Sequence, residues 1–151
     1  MKHTVILFIL IGLISCGEQG ENTIDSSVVV NNYSVLENFK QEKGGASLLF
    51  NETEYEFPPS QKGSDLEHSF YFVNSGDAPL VLTKVKGSCG CTNVEYPEEP
   101  INPGGKGVIT AEVNNSNKPV DKKFRVSITI ESNAQKPKMR LNLRGFTLGR
   151  N

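Results

Sequence analysis

Tryptophan is absent from this chain of 151 residues, methionine and histidine occur twice each, and cysteine three times. No apolar run approaches the roughly 20 residues that a bilayer-spanning helix needs, so a transmembrane helix is excluded. Charge of either sign is not in excess: 16 Lys and Arg stand against 17 Asp and Glu, a formal net charge of −1. Nucleic-acid binding normally shows as a clustered basic excess, and none is present. Ligands are scarce as well. Zinc takes four, whereas the chain beyond its first segment has two thiols and one histidine, His68. No serine on a glycine elbow accompanies His68, which reads as a packed or surface strand residue rather than a base. Pro103-Gly104-Gly105-Lys106-Gly107 lacks the spacing and the following helix of a phosphate loop and reads as a turn. Glu95, Glu98 and Glu99 read as a solvated acidic run. The chain therefore reads as a non-enzyme.

What is present begins with Lys2 and His3 followed by an apolar run from Val5 through Ile14, the charged-then-apolar layout of a secretory signal. Leu13-Ile14-Ser15-Cys16 resembles the bacterial lipobox, in which cleavage precedes the cysteine and the cysteine is lipidated. The expected organisation is a lipoprotein signal peptide over 1–15, a lipid-anchored tether over 16–45 and one domain over 46–151. Several acyl chains on Cys16, at about 0.8 kcal/mol per buried CH₂, would anchor the protein stably to a bacterial membrane without crossing it. That lipid is the only covalent group or cofactor expected. Within the tether, Val35, Leu36 and Phe39 have the spacing of a short amphipathic helix that Gly44-Gly45 would end.

From residue 46 the texture changes to short alternating runs separated by turn residues. Ser47 to Asn51, Glu54 to Phe57, Glu67 to Val73, Leu80 to Val85, Asn93 to Tyr96, Gly107 to Val113, Phe124 to Glu131 and the Met139-Leu141-Leu143 alternation read as strands. Phe124, Val126, Ile128 and Ile130 alternate most cleanly, which predicts burial of one face only. Asn74-Ser75-Gly76-Asp77-Ala78-Pro79 supplies turn chemistry, so the runs on either side of it are predicted to form one antiparallel pair. Three prolines make 97–105 a loop. About seven strands without a convincing helix predict an all-β, immunoglobulin-like antiparallel β-sandwich.

If Cys16 carries lipid, Cys89 and Cys91 remain as a pair. Two extended steps span about 6.6 Å between Cα atoms, near the upper end of disulfide geometry, so closure asks for a bend that Gly90 can provide. So small a ring removes little entropy from the unfolded chain. The pair leaves a local structural disulfide, a redox couple and a two-thiolate copper(I) site with Met139 as alternatives. Redox activation lacks a visible source in the sequence, because no helix N-terminus precedes the pair and Lys84 and Lys86 are the only cations close by.

Asn74 to Leu80, the pentapeptide Ser88-Cys89-Gly90-Cys91-Thr92, Ile101-Asn102-Pro103-Gly104, Ser132-Asn133 and Leu143-Arg144-Gly145 together resemble the bacterial family called domain of unknown function 1573, frequent in lipoproteins of Bacteroidetes. The resemblance covers about 46–147; this chain has Phe57-Pro58 where relatives usually have Phe-Gly. It implies an immunoglobulin-like sandwich similar to the domains of major sperm protein, which bind partners and do no chemistry. The expected role is a lipid-anchored cell-envelope module that binds a protein or glycan, with a thiol redox or copper(I)-handling protein as the alternative.

Overall fold

The computed structural model describes Leu36 and residues 39–149, so Cys16, the signal segment and most of the tether lie outside the described residues. Among the described residues nine strands follow one another: β1 (Leu48–Phe50), β2 (Glu54–Glu56), β3 (Ser60–Gln61), β4 (Asp65–Asn74), β5 (Leu82–Gly87), β6 (Thr92–Glu95), β7 (Lys106–Asn114), β8 (Lys122–Ser132) and β9 (Lys138–Leu148). One sheet runs β1-β4-β7-β6 and the other β2-β9-β8-β5, with β3 also on β9. The all-β sandwich expected from the alternating pattern is therefore what forms, and its fold is immunoglobulin-like.

The inward faces are those the alternation selects. Phe70 and Phe72 of β4, Ile109, Ala111 and Val113 of β7, Val126, Ile128 and Ile130 of β8, and Leu141 and Leu143 of β9 are buried between the layers. Full burial of each of these side chains other than Ala111 is worth about 1.5–3 kcal/mol. The two long ladders, β4 on β7 and β8 on β9, hold these rows in antiparallel register, with Phe70 opposite Ile109 and Val126 opposite Leu143.

Two features depart from the predicted arrangement. The count rises from about seven to nine, and β2 and β3 pair parallel to β9 in an otherwise antiparallel sheet. β3 is only two residues between Pro59 and Gly63, too short to carry a period-two signal. The larger correction concerns β4 and β5, which are not a pair. Both edges of β4 are taken, by β1 and by β7, so β5 crosses to the other sheet and pairs with β8. The stretch from Ser75 to Val81 is thus a link between layers rather than a hairpin turn.

A buried asparagine fixes that link. Asn74 Nδ2 donates to the carbonyls of Ala78 and Ile101, both at 2.8 Å, and Oδ1 accepts from the Gly76 and Ser47 amides. Gly76 has no alternative: a Cβ there would lie 2.1 Å from the Gly45 carbonyl oxygen. Leu80 and Ile101 exchange backbone hydrogen bonds and close the corner.

Residues 39–47 contain no helix, and the earlier part of the predicted helix lies outside the described residues apart from Leu36, which is buried. Gly44 and Gly45 have a different task. With φ of 101° and 127° they aim successive amides at the Asp77 carboxylate, at 3.1 and 2.7 Å, a backbone nest for an anion. The Gly44 amide first, then that of Gly45, holds the Asp77 carboxyl below its ordinary value of 3.8. A folded-state pKa below the unfolded one gives stability that is present above the unfolded value and lost as pH falls through the folded one. Asp77→Asn should therefore be less stable than the parent near neutrality, and urea titrations should show the gap closing only below about pH 4. A gap that persists unchanged into strong acid would refute the role assigned to the carboxylate.

Candidate functional site

The pentapeptide Ser88–Thr92 turns the second corner between the layers, from the end of β5 in one sheet to the start of β6 in the other. Its flanks are tightly held. The Ser88 amide donates to the Ser127 carbonyl at 2.8 Å, and the Ser88 hydroxyl accepts from the Ser127 amide at 3.1 Å. Asn114 at the end of β7 donates its amide to the Cys91 carbonyl at 2.9 Å. Gly87 comes so close to Thr92 that a Cβ would meet the threonine Cβ at 2.6 Å. Cys89 and Cys91 form a disulfide, with Cα atoms 5.2 Å apart. Gly90 makes the bend without a positive φ, and nothing lies within 4 Å of the place its side chain would occupy. The two half-buried cysteines rest on the margin of the core while the glycine between them faces open space.

Sequence spacing offered the pair no cation beyond Lys84 and Lys86. Folding supplies one. Lys118, in the loop between β7 and β8, places Nζ 3.2 Å from Cys91 Sγ and 3.9 Å from Cys89 Sγ. Thr92 Oγ1 lies 3.3 Å from Cys89 Sγ. The loop bearing Lys118 is anchored at its start: the Lys118 amide donates to the Asn115 carbonyl, and buried Asn115 uses its side chain to accept from the Gly63 and Ser64 amides and donate to Ser60 Oγ and Gln61 O. Nothing in the sequence marks Lys118, since 27 residues separate it from Cys91.

Other singled-out residues fall elsewhere. Met139, on β9, borders a cleft with Glu42, Ser47, Leu48, Gln135 and Lys136. His68 is sandwiched between aromatic rings, stacked 3.5 Å from Tyr55 and edge-on to Phe70, with Nε2 3.0 Å from Glu52 Oε1. Among the described residues, no three His, Cys, Asp or Glu side chains gather as metal ligands, and no helix is long and apolar enough to cross a membrane. The turn at Gly104-Gly105 is a turn indeed: Gly104 has φ 75°, and its amide donates to the Asn74 carbonyl.

Over residues 48–147 the sequence matches the family described as "Protein of unknown function (DUF1573)". The chain belongs to the DUF1573 family. No match is found among curated proteins. Of the solved structures it is similar to a Porphyromonas gingivalis W83 protein of unknown function, with 18% identity and TM-score 0.59 over 68% of this chain and 47% of that one. It is similar also to the ASH/PapD-like domain 7 of human CEP192, with 9% identity and TM-score 0.56 over 70% and 87% of the two chains. A third likeness is to the Escherichia coli chaperone DraB, with 12% identity and TM-score 0.51 over 70% and 57%. The DUF1573 chain thus spans about half of the Porphyromonas protein, and likeness at these identities shows the PapD-like fold alone.

Most pieces of the DUF1573 motif have packing duties. Asn74 and Gly76 lock the first corner, and Ile101 and Gly104 dock against it. Asn133 accepts from the Val81 amide and donates to the Pro79 carbonyl, fastening the same link to the β8–β9 turn. Gly145 leaves room for the Phe124 ring, which a Cβ would approach to 2.5 Å. In the pentapeptide, by contrast, the outer residues are structural while the Cys-Gly-Cys centre stays open beside a cation.

Proposed function

We propose that this protein is a lipid-anchored module of the bacterial cell envelope that binds a partner protein by its exposed sheet edge and does no catalysis in doing so. The anchor is Cys16 in Leu13-Ile14-Ser15-Cys16, which lies outside the described residues. Support for the binding role comes from one observation above all: β5 and β6, each the last strand of its sheet, lie together at one side of the sandwich. A terminal strand carries a row of unpaired amides and carbonyls that an extended segment of a partner can join. On β5 the exposed Lys84 and Lys86 favour a partner strand with acidic residues and discourage self-pairing.

β6 gives the sharper test. Because the Asn114 amide donates to the Cys91 carbonyl, alternation along the strand points the ladder groups of Asn93 and Glu95 at β7 and those of Val94 outward. Val94→Pro removes an outward amide while leaving the ladder to β7 intact. Cross-linked envelopes should yield a reproducible partner with the parent protein, and that partner should disappear with Val94→Pro although the domain remains folded. Undiminished capture by the variant would end the edge-binding reading. Fatty-acid labelling that survives Cys16→Ala would separately end the anchoring one.

A further inference from the structure

A disulfide gives an ammonium ion little to bind, since divalent sulfur is a weak acceptor. Yet Lys118 Nζ sits 3.2 Å from Cys91 Sγ and 3.9 Å from Cys89 Sγ, with no carboxylate among the described residues within 4 Å of it and the face of Phe124 5.7 Å away at the ring centroid. Its placement makes chemical sense for the opened bond, when one sulfur becomes a thiolate that a neighbouring cation stabilises. The loop anchor at Asn115 sets the lysine there in advance, so no rearrangement is needed when the charge appears.

We infer that Cys89–Cys91 is an exchangeable disulfide that oxidises dithiols of polypeptide chains, with Lys118 stabilising the Cys91 thiolate that leaves when Cys89 is attacked. The two sulfurs are distinguished by their surroundings: Cys91 is the nearer to the ammonium, Cys89 the nearer to the Thr92 hydroxyl. A substrate thiolate attacks Cys89 Sγ; a substrate–Cys89 bond forms, the Cys89–Cys91 bond breaks, and its electron pair stays on Cys91. The substrate's second thiolate then attacks the substrate sulfur of the mixed disulfide, closing the substrate disulfide and releasing Cys89 as a thiolate. Two electrons have moved from substrate dithiol to the cysteine pair, and the two protons shed by the substrate are available to the two cysteines. The pair itself is the oxidant, so a single stoichiometric transfer is complete without another reagent and leaves Cys89 and Cys91 as the reduced dithiol. The empty space over Gly90 lets an incoming chain approach. Nothing in this assignment depends on the anchor or on binding by the β6 edge.

The experiment uses the full chain in detergent, oxidised, and offers it either reduced glutathione or a reduced synthetic peptide carrying two cysteines. Opening of the Cys89–Cys91 bond is followed by alkylation and mass spectrometry, as a rate and as an equilibrium constant. The parent should be reduced by both, and Lys118→Met should lose about tenfold in rate and in equilibrium constant, the size of effect an adjacent opposite charge has on an ionising group. Lys118→Arg should recover most of it, which a purely structural role for the loop would not require. Lys118→Gln serves as a second neutral variant should the methionine substitution disturb the fold. A disulfide that neither thiol opens in the folded protein, or neutral variants that match the parent, would overturn the proposal. Reaction with glutathione but not with the peptide would overturn the polypeptide as substrate.

Discussion

Asn74→Leu is expected to destabilise the domain by about 3–5 kcal/mol, because it strands several buried backbone groups at roughly 1–3 kcal/mol each. The leucine keeps the asparagine's branching and number of heavy atoms, though it is bulkier, and takes away the partners of the Gly76 and Ser47 amides and of the Ala78 and Ile101 carbonyls. Ile101 O retains the Leu80 amide, so its loss is the lightest; the Gly76 amide has no other backbone partner within this corner. Against a total stability of about 5–15 kcal/mol, such a loss consumes a large share. Urea denaturation followed by circular dichroism should show a midpoint moved far down with the slope kept. A loss below about 1 kcal/mol would mean that water replaces the side chain and that Asn74 is not what orders the crossing from β4 to β5.

The second large effect lies where Phe72 meets Gly107. Phe72 is fully buried, its ring 5.4 Å from that of Phe50, and it stands opposite Gly107 in the β4–β7 register. A Cβ on Gly107 would reach the Phe72 ring at 2.3 Å. Phe72→Ala should cost about 3–5 kcal/mol through the cavity it leaves. Gly107→Ala should cost about 1–3 kcal/mol, through overpacking rather than through loss. The double variant decides between this account and a merely conformational need for glycine: with the ring gone, the added methyl enters vacant space, so the double variant's cost should fall short of the sum of the two single costs by at least about 1 kcal/mol. Strict additivity in the thermodynamic cycle would count against steric coupling.

The failure of the β4–β5 hairpin reading is instructive about what local pattern contains. Asn74-Ser75-Gly76-Asp77 has the composition of a tight turn, and the flanking runs have the right period, yet the segment crosses layers. Turn chemistry reports that the chain changes direction; it does not report whether a neighbouring edge is free. Here β1 and β7 had already occupied both sides of β4. Gly44-Gly45 misleads in a similar way, because glycine signals positive φ without saying whether a helix ends or a carboxylate is cradled. The motif asparagines 74 and 133 were readable as family features, but their duty as side-chain locks on backbone became visible only from their partners.

From the amino-acid order alone came the all-β character, the buried rows on β4, β7, β8 and β9, the expectation of a lipid-anchored N-terminus, and Cys89 and Cys91 as the only pair of side chains suggestive of chemistry. Alternation every second residue suffices for the first two, since it states which face leaves water, whereas the anchor and the cysteine pair rest on local motifs. Only the folded arrangement decided which strands share a sheet, which edges stay open, and that Lys118 meets the sulfurs from 27 residues away. Those outcomes depend on competition among distant segments for the same edge and the same space, a contest that spacing along the chain does not record.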